Sequence, residues 1–320
     1  MPRGPIFVGG LAHSGKTLLR LMLSSHPNIV LTRRTDLWTG VYDRYGNLAL
    51  PENFDRCLAA ILRNKHLRPL RPAPERLHRE FWQGEPTYPR LFALLHAHFA
   101  QSLGKPRWGD QTALIERFAD PIFSAYPDAR MIHMIRDPRD CYKLALNSTN
   151  HRIGKVGPAT ATWLHSVALA KRNQLRYPDR YLLVRYETLM AYPRETLSGI
   201  CSFLEEAFVP DMLSMKNAIR FSEETDARGK VMSPAGINLV VQNQPAAQAL
   251  SGREIAFMQA RAGRAMITYN YPLSRVQCSP RDRFLLYFLD MPAGWARTLA
   301  WRCSLLFRTG YPARVRASCG

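Results

Sequence analysis

The stretch Ile6-Phe-Val-Gly-Gly10-Leu-Ala-His-Ser-Gly15-Lys16-Thr17 decides the fold. Its apolar start is typical of a buried strand, and residues 10–17 match the phosphate-loop pattern GxxxxGK[ST] in full. An amphipathic helix is predicted from about Lys16 to Ser25 and cannot extend through Pro27. Glycines let backbone N–H groups turn toward a phosphate, and the helix N-terminus adds positive potential. The segment therefore predicts a strand, a phosphate-binding loop and a helix.

Strand and helix patterns alternate along the rest of the chain. Residues 129–135 and 180–185 predict a second and a third strand. A helix is predicted to open with Asp137-Pro138, and further helices are predicted at about 158–176, 193–206 and 251–269. This alternation predicts an α/β fold of the P-loop-like, three-layer type, with a central parallel sheet flanked by helices. Residues 50–107 are interpreted as a helical cap insertion and residues 222–248 as a long loop. We expect one domain over residues 1–275 and a basic C-terminal extension over residues 276–320.

Composition excludes several classes of protein. Hydrophobic residues make up 46% of the 320 positions and charged residues 22%, as in a folded chain. The sequence contains no apolar run of the roughly 18 residues that a membrane-spanning helix needs, and the N-terminus lacks the regions of a signal peptide. The six cysteines form no CxxC pair and no histidine cluster has ligand spacing, so no metal site is expected. We expect a cytoplasmic protein with reduced thiols.

The net charge of +19 calls for anionic partners. Neither aromatic RNA-binding motifs nor a recognition helix is present, so a nucleic-acid partner is not expected. Residues 275–320 contain eight arginines and two aspartates, and four apolar residues there share one helical face: Trp295, Leu299, Cys303 and Leu306. Two interpretations remain open. The segment is either an interfacial helix in peripheral contact with an anionic membrane, or a terminal helix packed on the core with solvated arginines.

The phosphate loop indicates a nucleotide but not a reaction. An ATP-dependent kinase or NTPase would need Mg²⁺ held by Thr17 and by an acid that ends a second strand. Here the strand over residues 129–135 runs into Arg136 before it reaches Asp137. An arginine at that point suits a second phosphate better than a cation. The ATP-dependent P-loop enzyme remains the alternative interpretation.

Four segments occur in the order known from one enzyme family. They are residues 13–20 followed by Ser25-His-Pro-Asn, residues 108–112 (WGDQT), residues 126–140 (YPDARMIHMIRDPRD) and residues 184–193 (VRYETLMAYP). Together they resemble the sulfotransferases that use 3′-phosphoadenosine 5′-phosphosulfate (PAPS) and release adenosine 3′,5′-bisphosphate. The resemblance covers about two thirds of the chain and implies a sulfotransferase that acts on a hydroxyl or amine, with carbohydrate and lipid acceptors among those open.

The resemblance also implies a set of donor-binding residues. The 5′-phosphosulfate would be held by the loop residues Ser14, Gly15, Lys16 and Thr17. Arg136 would bind the 3′-phosphate, and Tyr186 would lie near the nucleotide. The family serine that follows the arginine by eight residues is Leu144 here, so Ser148 is the substitute one turn later.

Transfer of the sulfuryl group also needs a cation and a base. Lys16 is predicted to act on the bridging oxygen, where charge builds up. A base should take the proton of the acceptor. The family often carries a glutamate for this purpose at the position of Arg34. Because an arginine cannot act as this base, the family does not identify the base of this chain. Asp36 is the first candidate, Asp110 the second and His13 the third.

Overall fold

The computed structural model describes residues 4–146, 156–219, 250–277, 279–296 and 299. Its described part contains one sheet of five parallel strands in the order β2–β3–β1–β4–β5. These strands are β1 (Ile6–Gly10), β2 (Ile29–Arg33), β3 (Arg107–Gln111), β4 (Arg130–Ile135) and β5 (Tyr181–Arg185). The phosphate loop therefore begins at the middle of the sheet, where β1 pairs with β3 and β4.

Twelve α-helices surround the sheet in the described residues. They are α1 (Lys16–Ser24), α2 (Pro51–Arg63), α3 (Pro74–Phe81), α4 (Tyr88–Ser102), α5 (Ala119–Ala125), α6 (Pro138–Leu146), α7 (Val156–Arg176), α8 (Tyr186–Ala191), α9 (Pro193–Phe203), α10 (Asp211–Ser214), α11 (Gly252–Thr268) and α12 (Pro280–Leu285). Short 3₁₀ turns span Arg68–Leu70 and Ile115–Phe118, and π turns span Leu37–Val41 and Leu286–Asp290. The helical content predicted for the segment 50–107 is confirmed as far as Ser102.

The strands send alternate side chains to opposite faces, as the period of a strand requires. Phe7 of β1 packs in a cluster with the helices α2 to α5, whereas Ile6 and Val8 pack in a second cluster with α1 and α9. Both faces of the sheet are covered, so its strands are apolar on both sides. The prediction of an α/β fold with helices on both faces of a parallel sheet is confirmed.

The sequence pattern missed two of the five strands. Neither β2 nor β3 was predicted, and the strand predicted at residues 180–185 is the fifth strand instead of the third. The sequence of β3, Arg-Trp-Gly-Asp-Gln, reads as a polar segment, yet Asp110 is fully buried because threonine hydroxyls bind its carboxylate. The predicted cap segment, 50–107, runs into β3, which begins at Arg107. The predicted loop at 222–248 lies outside the described residues.

No helix in the described ranges has the length and apolar character needed to cross a bilayer. This agrees with the absence of a long apolar run in the sequence.

Candidate active site at the carboxyl ends of β1 and β4

The phosphate loop turns sharply between β1 and α1. Gly10, His13 and Gly15 have positive φ angles of 118°, 65° and 94°. At Gly15 this conformation begins α1, whose first turn carries no side-chain cap. Backbone N–H groups at the start of a helix lack partners inside the helix and point to the space before it. The loop therefore offers N–H donors to an anion.

A hydroxyl and a close packing contact complete this loop. The Oγ of Ser14 is buried and has no hydrogen-bond partner among the described residues. A Cβ atom added at Gly15 would come within 2.4 Å of Cδ2 of Tyr186, so only glycine fits beneath that ring. Buried polar atoms without a partner are rare in native proteins. Both observations fit a loop shaped to receive the oxygens of a phosphate or sulfate group.

Lys16 provides a buried cation in the same loop. Its side chain is 6% exposed, and Nζ donates a hydrogen bond to the carbonyl of Leu11 within the loop. Burial lowers the pKa of Lys16 to about 8, although the negative charge of Glu116 acts to raise it. A bound anion would favour the protonated amine. Lys16 is thus placed to neutralise charge on a ligand held by the loop.

Arg136 lies beside the phosphate loop, at the end of the neighbouring strand β4. Its Nη1 is 3.4 Å from the carbonyl oxygen of His13, and its guanidinium stacks on the ring of Tyr186 at 4.1 Å. The indole of Trp163 donates to the carbonyl of Arg136 at 2.9 Å and holds this part of the backbone. The ion pair with Asp140 is long, at 3.7 Å, and Nε has no partner in the described part of the chain. The guanidinium therefore retains hydrogen-bonding capacity toward a ligand.

The acid after β4 is already engaged. The carboxylate of Asp137 accepts hydrogen bonds from Nε and Nη2 of Arg139 at 2.9 and 2.6 Å, and from the backbone N–H of the same residue at 2.9 Å. Its role is to begin α6. Among the described residues, no group of three or more histidine, cysteine or acidic side chains could hold a metal ion. The arrangement does not resemble the magnesium site that the kinase alternative requires.

Two of the base candidates belong to neighbouring strands but have different surroundings: Asp110 lies within β3, and Asp36 follows β2. Asp110 is fully buried and accepts hydrogen bonds from three hydroxyls, those of Thr32, Thr35 and Thr112, at 3.0, 2.7 and 3.1 Å. Asp36 keeps 38% of its side chain exposed and lies 3.8 Å from the guanidinium of Arg34. Burial raises the pKa of Asp36, while Arg34 opposes that effect. This geometry favours Asp36 over Asp110, because only Asp36 is accessible to an acceptor.

His13, the third candidate, lies in the phosphate loop itself. Its pKa is lowered by burial and by the charges of Lys16 and Arg136. Its imidazole is therefore kept neutral, which is the form that can accept a proton. Ser148, predicted to stand in for the family serine, lies outside the described residues.

Sequence reasoning missed Glu116, which lies directly beneath the loop. Its side chain is fully buried, and Oε2 accepts the N–H of Gly10 at 2.9 Å. Burial acts to raise the pKa of Glu116, but His133 and the N–H of Gly10 outweigh burial and lower it. His133 lies 3.6 Å from Oε1 and is itself bonded to Ser166 and Tyr181. No short motif could reveal this contact, because Glu116 and Gly10 are 106 positions apart.

Comparisons with known proteins agree with this geometry. Residues 5–211 match the Sulfotransferase family. The protein-tyrosine sulfotransferase of Drosophila melanogaster is 21% identical, and the match covers 72% of this chain but only 45% of that protein. The sulfotransferase domain of the Synechococcus PCC 7002 olefin synthase has a TM-score of 0.54 at 23% identity, over 85% of this chain and 96% of that one. The sulfotransferase domain of the curacin biosynthetic pathway has a TM-score of 0.53 at 17% identity, over 85% and 99%.

The family match covers more than half of the chain, and the two structures share its fold. This chain belongs to the sulfotransferase family. Neither the family match nor these relatives support the kinase alternative. The chain spans less than half the length of the Drosophila protein, so the acceptor of that protein is not carried over.

Proposed function

We propose that this enzyme transfers the sulfuryl group of PAPS to a hydroxyl or amine of an acceptor. One observation carries the proposal: the loop that contains Lys16 and the guanidinium of Arg136 lie side by side at the ends of β1 and β4. PAPS carries anionic groups on both its 5′ and its 3′ oxygens. Two cations at neighbouring strand ends suit such a molecule better than one with a single phosphate chain.

Each residue of the site has a role under this proposal. The loop N–H groups, the Oγ of Ser14 and the side chain of Thr17 bind the 5′-phosphosulfate. Arg136 binds the 3′-phosphate. Tyr186 supports Arg136 by stacking and holds Gly15 in position. The unpaired Oγ of Ser14 and Nε of Arg136 are the atoms that such a ligand would engage.

The reaction is a displacement at sulfur. The acceptor oxygen or nitrogen forms a bond to sulfur while the bond from sulfur to the 5′-phosphate oxygen breaks, and adenosine 3′,5′-bisphosphate leaves. Charge grows on that phosphate oxygen, and a buried cation such as Lys16 stabilises it. The acceptor proton passes to a base, for which Asp36 is the first choice. Alignment by the rigid loop lowers the barrier further.

A ligand comparison tests the proposed donor. We expect adenosine 3′,5′-bisphosphate to raise the melting temperature without Mg²⁺, and to do so more than adenosine 5′-monophosphate, because only the former engages Arg136. Arg136→Gln should erase the difference between the two ligands, whereas the surface change Arg176→Gln should preserve it. Equal stabilisation of the wild type by both ligands, or stabilisation by ATP with Mg²⁺ alone, would contradict the proposal.

The acceptor is identified by testing which candidate compounds the enzyme sulfates. We expect a carbohydrate or lipid hydroxyl among the products when candidate acceptors are incubated with isotopically labelled PAPS and analysed for the mass shift of a sulfuryl group. Lys16→Ala is the matched control, because it removes the cation of the loop and should abolish the shift.

A further inference from the structure

A ridge of large apolar side chains projects from the last described helical segment. Phe284, Tyr287, Phe288 and Leu289 are between 57% and 65% exposed, and we call these four residues the aromatic ridge. The rings of Phe284 and Phe288 stack on each other at 4.6 Å. Soluble proteins rarely expose a contiguous apolar patch of this kind unless it binds a partner.

The helical segment that carries the ridge is fixed to the enzyme by its opposite side. Leu286 is 5% exposed, and Gly294 is buried against Phe257 of α11. A Cβ atom added at Gly157 of α7 would come within 2.8 Å of the Cα of Gly294, so the backbones are in close contact. The ridge is therefore held outward by packing.

Apolar exposure continues along the same segment. Trp295 is 62% exposed and has the guanidinium of Arg261 at 3.9 Å over its ring, and Leu299 is 63% exposed. If residues 275–320 formed a helix with its apolar face packed on the core, both of these side chains would be buried. Of the two interpretations, the structure favours the interfacial one. Cys303 and Leu306 lie outside the described residues.

The charge around the ridge indicates what it binds. Residues 275–320 contain eight arginines against two aspartates, and Arg275, Arg281 and Arg283, which precede the ridge along the chain, are exposed. One of the two acids, Asp282, accepts a hydrogen bond from the hydroxyl of Ser279 at the start of α12. Aromatic side chains favour the boundary between water and lipid, and arginines are attracted to anionic headgroups. A second copy of this chain, itself at +19, would be repelled.

We propose that the aromatic ridge docks the enzyme on a bilayer that contains anionic phospholipids. The ridge inserts among the headgroups, and the flanking arginines bind the lipid phosphates. This proposal is independent of the sulfuryl donor.

Vesicle flotation of the full chain tests the proposal. At low salt the wild type should float with vesicles of phosphatidylcholine and phosphatidylglycerol, and much less with phosphatidylcholine alone. Phe284→Ser with Phe288→Ser should reduce the partition coefficient by about tenfold or more, because it removes apolar surface that would otherwise be buried in lipid. Arg281→Gln with Arg283→Gln should reduce it by about fivefold for each charge.

A matched variant controls for exposed apolar surface in general. Leu175→Ser with Tyr192→Ser removes two side chains that are 77% and 62% exposed elsewhere, and it should float like the wild type. Stabilisation of every variant by adenosine 3′,5′-bisphosphate verifies the fold independently of lipid. Failure of the wild type to float overturns the proposal, as does equal flotation of the ridge and control variants. A lipid-free dimer that only the ridge variant dissociates would also overturn it, in favour of self-association.

Discussion

Asp36 combines partial burial with access to solvent, and the two properties suit a base. Asp36→Asn should lose most of the turnover, because an amide cannot take the acceptor proton. Donor affinity should be kept, since Asp36 is not among the residues proposed to bind the nucleotide. Burial raises the pKa of Asp36, so the rise of turnover with pH should occur above the range of an ordinary aspartate. Turnover and bisphosphate affinity of the variant, measured side by side, check this expectation, and unchanged turnover would turn attention to His13.

Under the proposed function, we expect Lys16 to make donor affinity depend on pH. Burial places its pKa at about 8 in the free enzyme, and a bound anion raises it. Between these two values, binding of adenosine 3′,5′-bisphosphate should take up a proton, and affinity should fall as pH rises through about 8. Calorimetry at about pH 9 in two buffers of different ionisation enthalpy measures the uptake. Lys16→Arg should abolish it, and Lys105→Arg, a change at a half-buried lysine bonded to backbone carbonyls, should leave it intact.

We expect Glu116 to act on donor binding through Lys16 and the backbone of the loop. The amide of Glu116→Gln can still accept the N–H of Gly10, but the negative charge that raises the pKa of Lys16 is gone. The pH at which bisphosphate affinity falls should therefore move below 8. His133 and Arg117 also face this charge; both are present in the wild type and in the variant, and burial lowers the pKa of His133. The exposed change Glu195→Gln should not move the midpoint, and an unmoved midpoint in Glu116→Gln would reduce Glu116 to a packing role.

At the scale of elements, backbone and side chain are in close contact at the start of α1. Gly15→Ala combines a positive φ angle with a Cβ atom 2.4 Å from the ring of Tyr186. We expect a loss of about 2–4 kcal/mol in the free energy of unfolding, from strain and overpacking together. Gly199→Ala is the matched control, because its Cβ meets nothing within 4 Å inside α9. There the same substitution should stabilise by about 0.5–1 kcal/mol, and chemical denaturation measures both changes.

The sequence predicted those elements whose signals are local. The strand β1, the loop and α1 form one uninterrupted pattern, and so do β4 with the start of α6. The strands β2 and β3 escaped prediction because Thr32 and Asp110, polar residues inside these strands, have hydrogen-bond partners that are distant in the sequence. The hydroxyl of Thr32 reaches Asp110 across 78 positions, and no window of sequence contains both. For the same reason the sequence indicated Lys16 and Arg136 but not Glu116.

At the scale of the whole molecule, the buried ion pair of Arg107 and Glu206 joins segments that are distant in the sequence. Arg107 of β3 is bonded to Glu206 at 3.2 Å, to the carbonyl of Gly4 at 2.8 Å and to that of Leu204 at 2.5 Å. Glu206→Gln removes the carboxylate charge 3.2 Å from the buried guanidinium of Arg107 and should cost about 3–5 kcal/mol of unfolding free energy. Glu205→Gln, next to it, breaks an ion pair whose carboxylate is 60% exposed, and should cost less than about 1 kcal/mol. Denaturant titrations measure the free energy of unfolding of both variants. An equal loss in the two would contradict the expectation that the buried ion pair contributes more to stability than the exposed one.

The register of β1 on β4 has a consequence for nucleotide choice. Gly10 pairs with Met134, so the phosphate loop and Arg136 start from adjacent strands, whose separation of about 4.8 Å is fixed by backbone hydrogen bonds. The sheet thus fixes the distance between the phosphate loop and Arg136, the two proposed anion sites. Side-chain substitutions can change the affinity of each site for an anion, but the distance between the sites is set by the main chain. A shift in preference toward nucleotides with one phosphate chain would therefore require only the loss of Arg136, with no rebuilding of the sheet.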